Sequence, residues 1–193
     1  MTVPVVLGST SRYRAELLRR LLADFAQAAP GVDEAALPGE SPASRALRLA
    51  IAKAEAVARE HPGALVIGSD QVAELDGAVL DKPGTAAGAR EQLRASSGRV
   101  VRFHTALCLL DARNGHRHTH IDLTCAVFRA LDDDEIARYV EREQPLDCAG
   151  SFKCEALGIS LFERIETTDP SALIGLPLIA LARLLRIAGH AIP

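Results

Sequence analysis

Val66–Pro83, VIGSDQVAELDGAVLDKP, is the stretch on which the fold reading turns. An apolar run, Leu65-Val66-Ile67, breaks at Gly68, and Ser69, Asp70 and Gln71 follow where a buried strand would emerge at its carboxyl end. Open α/β sheets place their chemistry at that edge. Val72 to Leu80 then reads as a short hairpin around Asp76-Gly77, a favoured two-residue turn, and Asp81-Lys82-Pro83 comes after it. The stretch supplies one carboxylate and one ammonium. An ordinary strand ending in a solvated loop would carry the same letters.

On the amino-terminal side, Val3–Leu7 is a β-type run ended by Gly8, with Ser9-Thr10-Ser11 and a helical pattern over Arg12–Ala23 after it. Ser9 or Ser11 suits the helix cap, and free N–H groups at a helix start attract anions. Arg12 and Arg14 stand in that first turn, where the helix dipole disfavours cations, so a bound anion or plain solvation would each account for them. Tyr13 between them can stack on a base or simply pack. Phe25–Ala29 reads as a second strand, and Asp33-Glu34 lies in the loop beyond it. Ser41–Glu60 is a strong helix with Ser41 as cap and Pro42 in its first turn. Lys53 shares a face with Leu49, Ala50 and Val57, so its stem crosses apolar surface and its ammonium reaches towards something polar, water included.

On the carboxyl side, Thr85–Ser97 is a helix ended by Gly98, and Val100–Asp111 and His116–Phe128 are strands around Asn114-Gly115. His116, His118 and His120 share one strand face without a nearby acid or cysteine to complete a metal set. Asp132–Arg142 is a helix, Cys148–Glu155 a small-residue loop in which Gly150-Ser151 permits close backbone approach to a ligand, and Leu157–Ile165 a strand. Asp169–Ser171 reads as the cap of a short turn, and an apolar helix runs from Pro177 to Ile187.

The 193 residues suit a single α/β domain, of one lobe or two, that buries a sizeable core. Four cysteines without CxxC spacing and no apolar leader-like run predict free thiols in the cytoplasm. The apolar runs fall short of the ~20 residues of a membrane span. A net charge of −3 with interspersed signs argues against a nucleic-acid-coating surface.

The series GSTSRYR (8–14), VDE (32–34), helical Lys53, IGSDQ (67–71), DKP (81–83), CAGSFKCE (148–155) and IGLPL (174–178) resembles the Maf family of nucleoside triphosphate pyrophosphatases, from about Val3 to Leu185. The resemblance implies a two-lobed α/β fold with a central mixed sheet and a substrate cleft, similar to inosine triphosphatases. It also implies dependence on a divalent cation, Mg²⁺ or Mn²⁺, and a homodimer. One branch carries Thr after the central aspartate and Gln in the late loop and acts on dTTP and UTP. This chain has Gln71 and Glu155 there, like the branch that hydrolyses 7-methyl-GTP to 7-methyl-GMP and pyrophosphate. A carboxylate accepts from both guanine N1–H and N2–H, a pair that thymine and uracil lack.

By match of motif, Asp70 is the general base or metal-linked activator of the attacking water, Lys53, Lys82 and Arg14 clamp phosphate, Ser9 and Ser11 bond phosphate oxygens, and Glu34 helps Asp70 to hold the metal or holds the water. Tyr13, Gln71 and Glu155 select the base. Arg12-Tyr13 departs from a common proline and a frequent tryptophan, and Asp81 from a common glycine. The family's naming as septum-formation inhibitors supplies another function, a nucleotide-binding regulator of cell division. A pyrophosphatase for some other non-standard nucleotide is a third.

Overall fold

A computed structural model describes residues 3–192. Its strands form one mixed sheet in the order β2-β1-β3-β5-β6-β7, with β4 paired to β3. In chain order the strands are β1 (Val5–Gly8), β2 (Ala26–Ala28), β3 (Leu65–Leu75), β4 (Ala78–Leu80), β5 (Val100–Asp111), β6 (Arg117–Phe128) and β7 (Phe162–Glu166). The helices are α1 (Arg12–Leu18), α2 (Pro42–Glu60), α3 (Ala86–Ser96), α4 (Asp133–Glu143) and α5 (Leu178–Ile187). None among the described residues is long and apolar enough to cross a membrane. The α/β class and mixed sheet expected from the sequence are both present.

The chain divides into two compact units. The first holds residues up to Gln71, Thr105–Asp122 and everything from Asp169; the second holds Val72–His104 and Leu123–Thr168.

In the first unit, β1 pairs in parallel with both β2 and β3, in a register that sets Gly8 beside Gly68. These two glycines leave a flat spot on which α2 lies. A Cβ on Gly68 would sit 2.1 Å from the Ala50 carbonyl oxygen, and one on Gly8 would sit 3.2 Å from that of Lys53. Ser41 caps α2 by accepting from the Ser44 N–H, with Pro42 in the first turn. Beneath α1 and α5, Leu7, Leu17, Leu18, Ile67, Leu107 and Leu181 form the core. Asp169 accepts from the Ile179 N–H at 2.7 Å, so it caps α5 itself as well as the turn at Ser171.

In the second unit, the β3–β4 hairpin turns at Asp76 (φ 48°) and Gly77 (φ 86°), the left-handed pair of a type I′ turn. Its core is an aromatic cluster in which Phe152 meets Phe103, Phe128 and Phe162 edge-on, at centroid separations of 5.3, 5.7 and 4.8 Å. Each such pair adds ~0.5–1.5 kcal/mol beyond area burial.

Three expectations need correction. Gly68 does not end the strand: β3 runs on through Ser69, Asp70 and Gln71 to Leu75, and the glycine serves helix packing. The first helix stops at Leu18, not at Ala23, tightened by i→i−3 bonds from Arg20 and Leu21; Leu17, Leu18 and Leu22 are buried all the same, so the apolar pattern over 12–23 reported burial beyond the helix itself. Leu157–Leu161 is a 3₁₀ turn, and the strand starts only at Phe162, because Gly158 folds back onto Lys153, its N–H donating to the Lys153 carbonyl at 3.1 Å.

Candidate active site

Strand alternation gives β3 two working faces. Gly68 and Asp70 face α2, while Ser69 and Gln71 face the 172–175 segment and β5. On the α2 side, close docking at Gly68 lets the Lys53 side chain reach the strand. Its Nζ lies 2.6 Å from Asp70 Oδ1 and 2.6 Å from Glu34 Oε1. Lys53 is 5% and Asp70 7% exposed, whereas the Glu34 side chain is 57% exposed. The apolar-face lysine therefore snorkels to two carboxylates rather than to water.

Burial pushes the Asp70 carboxyl up from its ordinary range, Lys53 and Arg14 oppose the rise, and Glu34 adds to it. Arg14 is pushed the other way: desolvation lowers its pKa, while Asp70 and Glu34 favour its charged form. Two cations and two carboxylates thus share one small volume at the carboxyl end of β1 and the middle of β3.

The turn after β1 sets the arginine. Ser11 caps α1, its Oγ accepting from the Arg14 N–H at 3.4 Å, and Ser9 Oγ accepts from the Ser11 N–H at 3.2 Å and from Arg14 Nη1 at 3.4 Å. Arg14 Nε donates to the Gly175 carbonyl at 2.8 Å, and Ser69 Oγ lies 3.0 Å from the same oxygen. Gly175, at φ 121°, is thereby a junction between α1, β3 and the turn before α5. The motif IGLPL marked the place but not the use, because the acceptor is a backbone atom.

Gln71 is tied more firmly than a base reader would be. Its amide nitrogen lies 2.9 Å from Thr105 Oγ1, 3.0 Å from the Ala172 carbonyl and 3.1 Å from that of Leu173, so its two N–H bonds serve the protein. Tyr13 carries its own cation: Arg12 Cζ stands 4.8 Å from the ring centroid, and Arg12 Nη2 donates to the Tyr13 hydroxyl at 3.0 Å.

Sequence reasoning missed the arginines that hold the Glu34 loop. Arg45 donates to the Glu34 carbonyl at 3.1 Å, and Arg48 to that of Ala35 at 3.0 Å. Arg48 also forks onto Glu40 at 2.6 and 2.7 Å, which holds the Glu40 carboxyl at about 2. The available signal was the spacing of Arg45 and Arg48 on the helix that carries Lys53.

Lys82 and Glu155 belong to the second unit, both on its surface. In the Cys148–Glu155 loop, Ser151 and Lys153 do structural work: Lys153 Nζ donates to the Glu143 carbonyl at 2.8 Å, satisfying the end of α4. Close approach at Gly150 is to a ring, since a Cβ there would sit 3.0 Å from Phe103 Cζ, so the expected ligand approach is replaced by packing.

Asp70 and Glu34 fit a hard divalent cation. Their oxygens already converge on one cationic nitrogen, and Mg²⁺ is commonly bound by one or two carboxylates plus substrate phosphates and waters. Among the described residues there is no cluster of three or more metal-ligating side chains.

The chain as a whole is similar to known proteins. The profile described as Maf-like protein matches residues 4–188. A protein of Xanthomonas axonopodis pv. citri named 7-methyl-GTP pyrophosphatase is 58% identical over 190 residues, 98% of each chain. One of the same name from Cupriavidus metallidurans is 56% identical over 186 residues, 96% of this chain and 94% of its own. Among solved structures, the Staphylococcus aureus Ham1 protein superposes with a TM-score of 0.53 over 95% of this chain and 98% of its own, at 17% identity, a likeness of fold alone.

Proposed function

This chain belongs to the Maf family, and from that premise we propose that it is a nucleoside triphosphate pyrophosphatase that hydrolyses 7-methyl-GTP to 7-methyl-GMP and pyrophosphate. The observation that carries the reading is the contact of buried Lys53 with buried Asp70 and with the exposed Glu34, beside Arg14, in a chain 58% identical to a protein of that name. A binding module needs the cations but has no use for a buried carboxylate whose pKa is raised by its surroundings.

In this proposal Asp70 takes a proton from a water molecule while the water oxygen bonds to the α-phosphorus; the bond from the α-phosphorus to the α,β-bridging oxygen breaks and pyrophosphate leaves. Arg14, Lys53 and Lys82 stabilise the charge that grows on the leaving group, and Ser9 and Ser11 bond phosphate oxygens. Asp70 and Glu34 would hold Mg²⁺ or Mn²⁺, which when bound supplies charge neutralisation at the phosphates. Glu155 accepts from the guanine edge, and Tyr13 offers a ring face to the positively charged 7-methylguanine. Gln71 acts on selectivity through the 172–173 segment it holds. One Maf-like domain of two lobes, a homodimer and a cytoplasmic location complete the proposal.

Pyrophosphate release with Mg²⁺ or Mn²⁺ is to be measured against 7-methyl-GTP, GTP, dTTP, UTP, CTP and ITP. Preference for 7-methyl-GTP is expected. Preference for dTTP or UTP would overturn the role of Glu155 and keep the reaction, and no turnover of any would favour the cell-division regulator.

A further inference from the structure

We propose that Gln92 is a positioning residue that fixes the Asp81-Lys82-Pro83 segment and the Gly150–Glu155 loop to one another, and so presents Lys82 and Glu155 as a pair. Gln92 sits on α3, whose start is held by Thr85 Oγ1 accepting from the Gly88 N–H at 3.1 Å and whose Ala89 and Leu93 are buried. From that rigid base Gln92 Nε2 donates to the Asp81 carbonyl at 2.8 Å, the carbonyl immediately before Lys82. Its Oε1 accepts from Ser151 Oγ at 2.6 Å.

A primary amide both donates and accepts, which neither Glu nor Lys does, so glutamine suits a bond to a carbonyl on one side and to a hydroxyl on the other. Ser151 is fully buried at φ 62°, a left-handed backbone uncommon for a residue with a Cβ. The Ser151 N–H donates to the Cys148 carbonyl at 3.1 Å, and the side chain to Gln92, so this turn keeps its shape partly through α3. Each segment also has an anchor of its own: the Gly84 N–H donates to the Leu146 carbonyl at 3.1 Å, and the Lys153 N–H to the Tyr139 hydroxyl at 3.1 Å. Gln92 is bonded to both segments at once, and both carry residues to which the proposed function gives substrate contacts. What Lys82 and Glu155 do rests on that function; the coupling between their segments does not.

Three variants of the full chain separate the arms. Gln92→Glu keeps the acceptor for Ser151 and loses the donor to Asp81, Ser151→Ala loses the other arm, and Gln92→Ala loses both. Amide hydrogen exchange is expected to quicken at Gly84, whose N–H is bonded to Leu146, and at 150–155 together in Gln92→Ala, and chiefly at Gly84 in Gln92→Glu. With 7-methyl-GTP, kcat/KM is expected to fall about tenfold or more in Gln92→Ala, the scale of the two hydrogen bonds lost. That loss should largely vanish when Gln92→Ala is made in a Lys82→Ala background. Unchanged exchange in either segment of Gln92→Ala, or strictly additive losses in the double variant, would overturn the proposal. Absence of wild-type turnover would sink the function instead, and the exchange pattern would still decide the coupling.

Discussion

Gly8 and Gly68 are register partners in neighbouring parallel strands, and together they set how closely α2 approaches the sheet. That closeness is what allows a lysine rooted on the apolar face of a helix to meet an aspartate in the middle of a buried strand at 2.6 Å.

Gly68→Ala should therefore damage the site from a distance. The added methyl would lie 2.1 Å from the Ala50 carbonyl oxygen and 2.7 Å from the Ala54 nitrogen, and neither backbone atom can move without α2. Overpacking of this kind costs ~1–3 kcal/mol or more, and moving α2 takes Lys53 off Asp70. Thermal unfolding should show the loss, with turnover falling further than stability alone explains. Gly63→Ala, which meets nothing within 4 Å, is the matched control and should change neither. A Gly68→Ala protein with wild-type turnover would show that the spacing of α2 does not set the Lys53–Asp70 contact.

Asp70→Asn separates chemistry from stability. With the proton acceptor removed and the shape kept, kcat should fall by ~10²–10⁴-fold while nucleotide binding persists. The sign for stability follows from the raised carboxyl. Because the folded state holds its proton to higher pH than the unfolded chain, ionised Asp70 opposes folding above the ordinary value of 3.8, increasingly up to the raised value and steadily beyond it. Lys53 keeps Glu34 as partner in the variant. Asp70→Asn should accordingly melt higher than wild type at pH 7, with the difference shrinking as pH falls towards about 4. Equal melting temperatures at pH 7 would mean that Lys53 and Arg14 fully offset the burial of Asp70.

What was legible in the sequence follows from what sequence encodes. Polar side chains at the ends of apolar runs stood out, so Ser9 and Asp70 could be named singly, as could Lys53 on its apolar helix face and Arg14 in a helix first turn, and the hairpin at Asp76-Gly77 was visible because its turn demands those residues. The continuity of β3 was hidden, since a glycine that admits a helix looks the same as one that ends a strand. The Gly175 junction was hidden for another reason: its function is a carbonyl oxygen, which every residue possesses. Gln71 shows the converse, a side chain whose position suggested substrate and whose hydrogen bonds go to the Ala172 and Leu173 carbonyls.

Arg48→Ala tests the strap that holds Glu34. The change removes the bond to the Ala35 carbonyl and both arms of the fork on Glu40, so the 34–40 loop loses its main tie to α2. A rise in KM for the nucleotide, or in the Mg²⁺ needed for half-maximal turnover, of about tenfold is expected from hydrogen bonds of this scale. The pH dependence supplies a second reading. Glu40, lowered from 4.5 to about 2 by Arg48, contributes stability that is present above pH 4.5 and lost as pH falls through 2. The difference in melting temperature between wild type and variant should be constant from pH 5 to 8 and close below that window; a difference that persists at pH 2 would assign it to packing of the Arg48 stem instead.

Arg12 and Tyr13 give the sharpest test of base selection. In the free protein the guanidinium of Arg12 lies 4.8 Å from the Tyr13 ring centroid, in the place where a positively charged 7-methylguanine would gain most from the same ring. A base seated on that same face displaces one cation to seat another, so part of the cation–π attraction is cancelled. Arg12→Ala removes that competitor and should raise the preference for 7-methyl-GTP over GTP by about 2- to 10-fold, within the ~0.5–2 kcal/mol of such contacts. The gain should fall in KM with kcat nearly unchanged, because the contact is remote from the phosphorus. Tyr13→Leu should abolish the preference and make Arg12→Ala silent in that background. If Arg12→Ala instead lowers turnover of both nucleotides alike, Arg12 is a phosphate ligand and the ring is not where the base is read.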